Sequence, residues 1–405
     1  MSTKEQTSPE YFSAIRSEYQ DHSIDAGIAS GLLTSQDAVL VREFLNERRS
    51  CANISTGRAN KITYTLVGWR RFIGPFSGLA VLDIYAGIDA LKRGKSHRGK
   101  PFKQNTLLDH VAILKQFIIW MIENNYSTIP EKKVHSIRNP KKNTLTKTAG
   151  DMLTPEEVLA ILKACSRSAD RAMISMLYEG GFRIGEVATL TWGALKFDER
   201  GVIVNLEFKT GIPRYVRLIA NTELIKQWRA DYPGTPMGSS LVFLNAIGQA
   251  FTHATITKRL HRITEKAGIT KHITPHIFRH SRITHLILKG TNESVIKMMM
   301  WGSVSTNMFK TYAHLTGNDI DQEMLRVYGI KEPDNKPKLS NIDPIQCPHC
   351  AAINPPTTMT CYTCGEPLDP TGVMKLEEMA KYIVQHGDSL KRYIDSLASG
   401  KNSPI

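Results

Sequence analysis

The sequence predicts a mainly α-helical protein with one small antiparallel β-sheet, followed by a short cysteine-bound ribbon. Three observations carry this. Apolar residues recur at helical spacing through most of residues 34–302. That pattern is interrupted by two β-rich runs, GVIVNLEF (201–208) and RYVRLIA (214–220), joined by KTGIP (209–213) as a hairpin or short meander. Four of the six cysteines form two Cys-x-x-Cys pairs near the C-terminus.

With 405 residues, at about 100–200 per domain, the chain should hold two to four domains. Hydrophobic residues at 41% and charged residues at 22% exclude a largely disordered chain. Lys and Arg number 52 against 38 Asp and Glu, a net charge of +14. Such an excess calls for a polyanionic partner, nucleic acid or an anionic membrane surface. No apolar run approaches the roughly 18–20 residues of a membrane span. The N-terminal stretch lacks the apolar centre of a secretory signal, so a cytoplasmic protein is expected.

Residues 1–30 are polar and are expected to be mobile. Helical spacing begins at Thr34, with Val39, Val41, Phe44 and Leu45 in SQDAVLVREFLNERR. Ser55, Thr56 and Gly57 signal a start for a helix over 58–72, striped by Ile62, Tyr64, Leu66, Val67 and Trp69. Helices over 82–94 and 106–124 complete a domain at 31–136. A linker is expected at 137–150, where Pro, Gly, Thr and Lys show no periodicity. In LTPEEVLAIL, Thr154 can cap, Pro155 suits the first helical position and Glu157 completes a capping box, so a second domain starts near 151 and runs to 332. Within it, 171–181, 185–191, 252–268, 278–290 and 293–302 read as helices around the β insertion.

KRGKSHRGKPFKQ (92–104) carries Lys92, Arg93, Lys95, Arg98, Lys100 and Lys103 and no acid. It reads as a solvated basic loop or, given the overall charge, as a segment that contacts phosphates.

Four further features stand in order: Arg183 and Glu186 in FRIGE, Lys209 in the β-turn, His276, Arg279 and His280 in PHIFRHSRITHLI, and Trp301, Tyr312 and His314 in WGSVSTNMFKTYAHL. Each alone has a bland reading, such as a surface ion pair or a half-buried aromatic. Together they suit phosphoryl transfer without a metal. Two guanidiniums, Arg183 and Arg279, can each grip non-bridging phosphate oxygens in a fork that Lys cannot match. Lys209 can protonate a leaving alkoxide. His276 can accept the nucleophile's proton or hold a phosphate oxygen. Tyr312 is a phenol of ordinary pKa about 10, and two nearby arginines would activate it.

The ordered set of Arg, Lys, His-x-x-Arg, His or Trp, and Tyr resembles the tyrosine recombinases, the phage-integrase family. FRIGE resembles the family's arginine–acid helix, KTGIPRYVRL its lysine hairpin, PHIFRHSRITHLI its second box and TYAHL its tyrosine box. The resemblance spans roughly 150–330 and extends more weakly to 31–136, where TLLDHVAILKQFIIWMIEN resembles the last helix of the core-binding domain. It implies a helical core-binding domain clamping double-stranded DNA with a catalytic domain. It also implies a 3′-phosphotyrosyl intermediate on Tyr312, no metal or ATP in the chemistry, and a tetramer on two duplexes. Glu186 would brace the arginine and the histidine from behind, with His280 and His314 also supporting the centre. One departure stands out. The family places Gly-His-Ser, or Trp for that His, before the tyrosine; here Trp301 precedes Gly302, and strict alignment puts Gly302 or Ser303 at that position. A regulator that binds DNA on this scaffold and a nicking–rejoining topoisomerase are the alternatives. Integration, mobile-element movement and chromosome resolution on the nucleoid all use such chemistry.

Cys347, Cys350, Cys361 and Cys364 sit in two knuckles separated by ten residues. Four thiolates at that spacing can close a tetrahedral zinc site; rubredoxin-like iron is the chemical competitor. So short a ribbon, expected at 343–370, has little core and would draw most of its folding energy from the metal. Such ribbons touch DNA or protein. A helical tail is expected at 371–405, docking on its own protomer or a neighbour.

Overall fold

A computed structural model describes residues 12, 15–143, 149–206, 214–245, 247–309, 312, 328 and 342–368, with 378, 381, 383–387 and 391 of the tail. The chain divides into two compact units, residues 14–146 and residues 1–13 with 147–405.

The first unit holds α1 (Glu18–Ala29), α2 (Ser35–Ala52), α3 (Thr56–Trp69), α4 (Val81–Arg93), α5 (Gln104–Glu123) and the short α6 (Glu131–His135). Its core gathers Leu40, Phe44, Leu66, Trp69, Phe76 and Phe117. Thr34 and Asp37 form a capping box at the start of α2. The fully buried Asp37 carboxylate also accepts from Arg70 Nε at 2.9 Å and from the Phe76 backbone N–H at 2.7 Å. One side chain therefore satisfies a helix start, a buried guanidinium and a loop amide.

The polar leader, expected to be mobile, contains α1. Only Gln20, Ile24 and Gly27 of this helix are buried, too few to print a periodicity on the sequence. Tertiary contact stabilises it instead: Gln20 donates to Asn60 at 2.7 Å. Phe12 is buried too, in the core of the second unit, with its ring 5.8 Å from that of His253.

In the expected linker, residues 137–143 are described. Asn105, at the start of α5, exchanges two hydrogen bonds with the backbone of Asn143, at 2.9 and 2.8 Å.

The second unit contains α7 (Pro155–Ala164), α8 (Ser168–Glu179), α9 (Ile184–Ala188), β1 (Leu195–Asp198), β2 (Gly201–Leu206), β3 (Arg214–Leu218), α10 (Thr222–Ala230), α11 (His253–Lys266), α12 (Pro275–Leu288) and α13 (Glu293–Trp301). The capping box at Thr154 and Glu157 is present, with Pro155 in the first turn. The sheet is antiparallel in the order β1-β2-β3, pairing Leu195 with Val204 and Val204 with Val216. It thus has one strand more than the two β-rich runs predict. β1 has only four residues, a length at which alternation carries little signal. The buried carboxylate of Glu179, at the end of α8, accepts from the backbone N–H groups of Ile219, Ala220 and Asn221 at 2.6–3.0 Å. That nest fixes the end of β3 against α8.

The ribbon pairs β4 (Ile345–Gln346) with β5 (Ile353–Asn354). Ile342, just before it, is buried in the second unit's core, and Asp343 pairs with Lys289, which caps the C-terminus of α12. Among the described residues no helix is long and apolar enough to cross a membrane.

Candidate active site

Arg183 precedes α9 in extended conformation, and Glu186 lies one turn into the helix. The Glu186 carboxylate accepts from the Arg183 backbone N–H at 2.7 Å and from its guanidinium at 2.8 Å. The other partner of this carboxylate is Arg214 at the start of β3, at 2.5 Å. Arg214 also donates to the Met299 carbonyl of α13. Glu186 and Arg214 are buried, whereas Arg183 keeps 28% of its side chain open. The carboxylate thus orients Arg183 while leaving it free to meet a ligand. Sequence reading assigned Glu186 this bracing role but missed Arg214, since one arginine in an RYVRL strand carries no spacing signal.

Arg279, on α12, is buried. Its guanidinium donates to the Gly181 carbonyl at 2.6 Å and to the Met300 carbonyl at 2.5 Å, and lies 5.3 Å from the centre of the Trp301 ring. Gly181 follows the Gly180 cap of α8 with φ +56°, and a Cβ there would sit 2.6 Å from Met300 Sδ. Glycine is needed on both counts. Burial, and then the charges of Arg183 and Arg214, bring the Arg279 pKa down to about 9, so it stays charged at neutral pH. Three arginines thus lie within one another's fields while one carboxylate pairs with two of them, an excess of positive charge suited to a phosphate.

Tyr312 is 6% exposed, packed among Ile283, Leu286, Ile296, Met300 and Phe309. Its hydroxyl is hydrogen-bonded to Nδ1 of His280, one residue after Arg279. Burial pushes its pKa up from the ordinary phenol value, and the nearby Arg279 charge opposes this. His276, at the start of α12, is exposed, and its ring centre is 6.4 Å from that of His280. Burial of part of its ring lowers its pKa, and so do the charges of Arg279, Arg183 and His253. His253 escaped sequence reading. Trp301 ends α13, and Gly302 caps it in left-handed conformation at φ +73°. Its ring stacks beneath Arg279, while Ser303 bonds to Ser305 at 2.9 Å. Lys209 and His314 lie outside the described residues.

Residues 151–318 match the profile described as the phage integrase family. This unit belongs to the tyrosine recombinases. Relatives include a tyrosine recombinase XerC of Myxococcus xanthus, 29% identical over 230 residues that cover 52% of this chain and 72% of that one. The XerC of Chlamydia trachomatis serovar L2 is 25% identical over 237 residues, covering 56% and 70%. Among solved structures, a lambda integrase dimer bound to a COC′ core site shares the fold at TM-score 0.53 and 15% identity, covering 66% of this chain and 95% of that one. The Tn1549 transposon integrase with circular intermediate DNA gives TM-score 0.51 at 17% identity, covering 71% and 99%.

The recombinase unit carries the ribbon as an appendage beyond the matched residues. The four sulfur atoms of Cys347, Cys350, Cys361 and Cys364 all lie within 4.8 Å of one another. Cys347 and Cys364 are 3.6 Å apart, and Cys350 and Cys361 3.5 Å. A tetrahedron with Zn–S of about 2.3 Å has edges of about 3.8 Å, so the donor set fits. Burial opposes ionisation of Cys361, but the Cys364 and Thr363 N–H groups and the Asn354 amide outweigh it and bring its thiol down to about 6. Each knuckle needs a left-handed residue after its second cysteine: Ala351 at φ +58° and Gly365 at φ +77°.

In the helical unit, Lys92 and Arg93 end α4, Lys95 and Lys100 flank a turn with Gly99 at φ +72°, and Lys103 precedes α5. These four lysines, Arg93 and Arg98 are all exposed, and Arg93 pairs with Asp89.

Proposed function

We propose that the chain is a site-specific DNA recombinase that cuts and rejoins double-stranded DNA through a phosphotyrosyl bond on Tyr312. The observation that carries this reading is the seat of Tyr312: its hydroxyl touches His280 and lies within the field of Arg279, which in turn lies within the field of Arg183. A protein that only binds DNA has no use for a phenol so placed. Arg183 and Arg279 grip the non-bridging oxygens, whose charge grows during substitution. Lys209 protonates the leaving 5′-oxygen, His276 holds a phosphate oxygen, Trp301 shapes the seat of Arg279, and His314 supports the tyrosine turn. The phosphotyrosyl ester keeps the bond energy, so rejoining needs no ATP.

Strand exchange between two duplexes needs four active sites, hence a tetramer on cytoplasmic, nucleoid DNA. Residues 31–136 clamp DNA as a core-binding domain, 137–150 link it to the catalytic domain at 151–332, and 371–405 form a docking tail. Lys92, Arg93, Lys95, Arg98, Lys100 and Lys103 contact the phosphate backbone. A structural zinc ion on the four cysteines holds the ribbon together when bound. The ribbon itself does not grip DNA, because residues 345–368 contain no Lys or Arg.

The test is covalent trapping. The protein is incubated with nicked duplexes carrying randomised centres, denatured, and the DNA bound to it is sequenced. A recurrent site joined to Tyr312, and lost in Tyr312→Phe with binding retained, is expected. Absence of any adduct with the wild type would overturn the reading.

A further inference from the structure

The nucleophile of the proposed reaction must lose a proton, and burial makes that harder by favouring the neutral phenol. A general base must lie within hydrogen-bond reach of the hydroxyl it serves. Two histidines of α12 compete. His276 is the position expected from sequence to accept the proton or to hold a phosphate oxygen. Among the described residues no hydrogen bond joins it to Tyr312, and the Arg279 and Arg183 guanidiniums crowd it with positive charge. His280 stands one turn further along the same helix. Its Nδ1 meets the Tyr312 hydroxyl, with the two ring centres 5.7 Å apart and the planes at 40°.

Helix geometry explains the division of labour. Residues at i and i+4 lie on one face, so His276 and His280 point to the same side of α12, one above the other. The first sits beside the arginines at the exposed end. The second meets the Tyr312 hydroxyl itself. Arg279, between them in sequence, turns toward Gly181 and Met300.

We propose that His280 is the general base for Tyr312, with His276 confined to phosphate contact; this rests on the recombinase reading above. During cleavage the bond from the Tyr312 oxygen to phosphorus forms while the bond from phosphorus to the 5′-oxygen breaks. The phenolic proton passes to Nδ1 of His280. The leaving oxygen keeps the electron pair of the broken bond and takes a proton from an ammonium or water donor. In rejoining, the 5′-hydroxyl attacks phosphorus and gives its proton back to the amine or hydroxide that had supplied it, the tyrosyl bond breaks, and His280 returns its proton to the phenolate.

The experiment uses the full chain and the nicked duplex recovered by covalent trapping, under single-turnover conditions. His280→Ala is expected to slow adduct formation by about 10²–10⁴-fold. His280→Asn places an amide near the position of Nδ1, so it can hold the phenol without accepting its proton, and is expected to stay at least about 10²-fold slow with DNA binding unchanged. Added imidazoles should restore His280→Ala, faster as their pKa rises. A wild-type rate in His280→Asn, no rescue, or rescue independent of imidazole pKa would overturn the proposal. Should His280→Ala lose DNA binding, the His280→Asn rate decides. A wild type that forms no adduct refutes the recombinase reading instead, so the two failures are distinct.

Discussion

Arg214 reaches across from the first residue of β3 to the Glu186 carboxylate of α9 at 2.5 Å, and both side chains are at least 96% buried. The pair joins the sheet to the helix that presents Arg183. Removing one member leaves the other charge buried and uncompensated. Arg214→Ala should therefore destabilise the catalytic unit by about 3–5 kcal/mol. Replacing both residues with apolar ones of similar volume should cost less. Chemical denaturation of the three proteins checks this.

Gly181 accepts from Arg279 in a backbone conformation that side chains avoid. Gly181→Ala adds about 1–2 kcal/mol of strain and a clash with Met300. The result should be slower covalent adduct formation with DNA affinity retained, read by gel-shift and trapping in parallel. Equal rates would mean that Met300 yields without disturbing Arg279.

His285 is buried in α12, where Nδ1 accepts from the Tyr178 hydroxyl at 2.8 Å. Burial, then Arg282 and Lys289, lower its pKa to about 4. The unfolded chain, at about 6.5, binds the proton more readily. This contribution to stability is thus complete above pH 6.5 and is lost as the pH falls toward 4. The full span is on the order of 3 kcal/mol. His285→Asn should flatten the pH dependence of unfolding in that window.

Removal of metal should unfold the ribbon while leaving strand cleavage intact, since no cysteine of the cluster belongs to the catalytic set. Metal analysis and trapping after chelation test both halves. Ala351→Gly relieves the left-handed alanine and should strengthen metal retention, corresponding to about 1 kcal/mol.

Neutralising Lys95, Arg98, Lys100 and Lys103 together should weaken DNA binding uniformly across sequences. The slope of log affinity against log salt should flatten by about 0.9 per lost phosphate contact. Substitutions in 345–368 should leave that slope unchanged.

Much of the site was legible because the chemistry demands rare residue types in a fixed order. Arg183, Arg279 and Tyr312 could be named without coordinates, and Thr154, Pro155 and Glu157 announced a helix start through local hydrogen bonding alone. β1 and α1 were not legible, because one is too short and the other too polar for periodicity to register. Arg214 and His253 escaped for a different reason: each matters only through what folding brings next to it.

By itself, then, the order of residues determined the helical units around a small sheet, the thiol quartet and the chemical type of the centre, because helix caps, periodicity and ligand spacing act over a few positions. Only the tertiary structure decided which histidine meets the phenol, which arginines share Glu186 and that Trp301 lies under Arg279. Those are contacts between segments many residues apart, and their geometry arises when α8, α9, α12, α13 and β3 close around a common core.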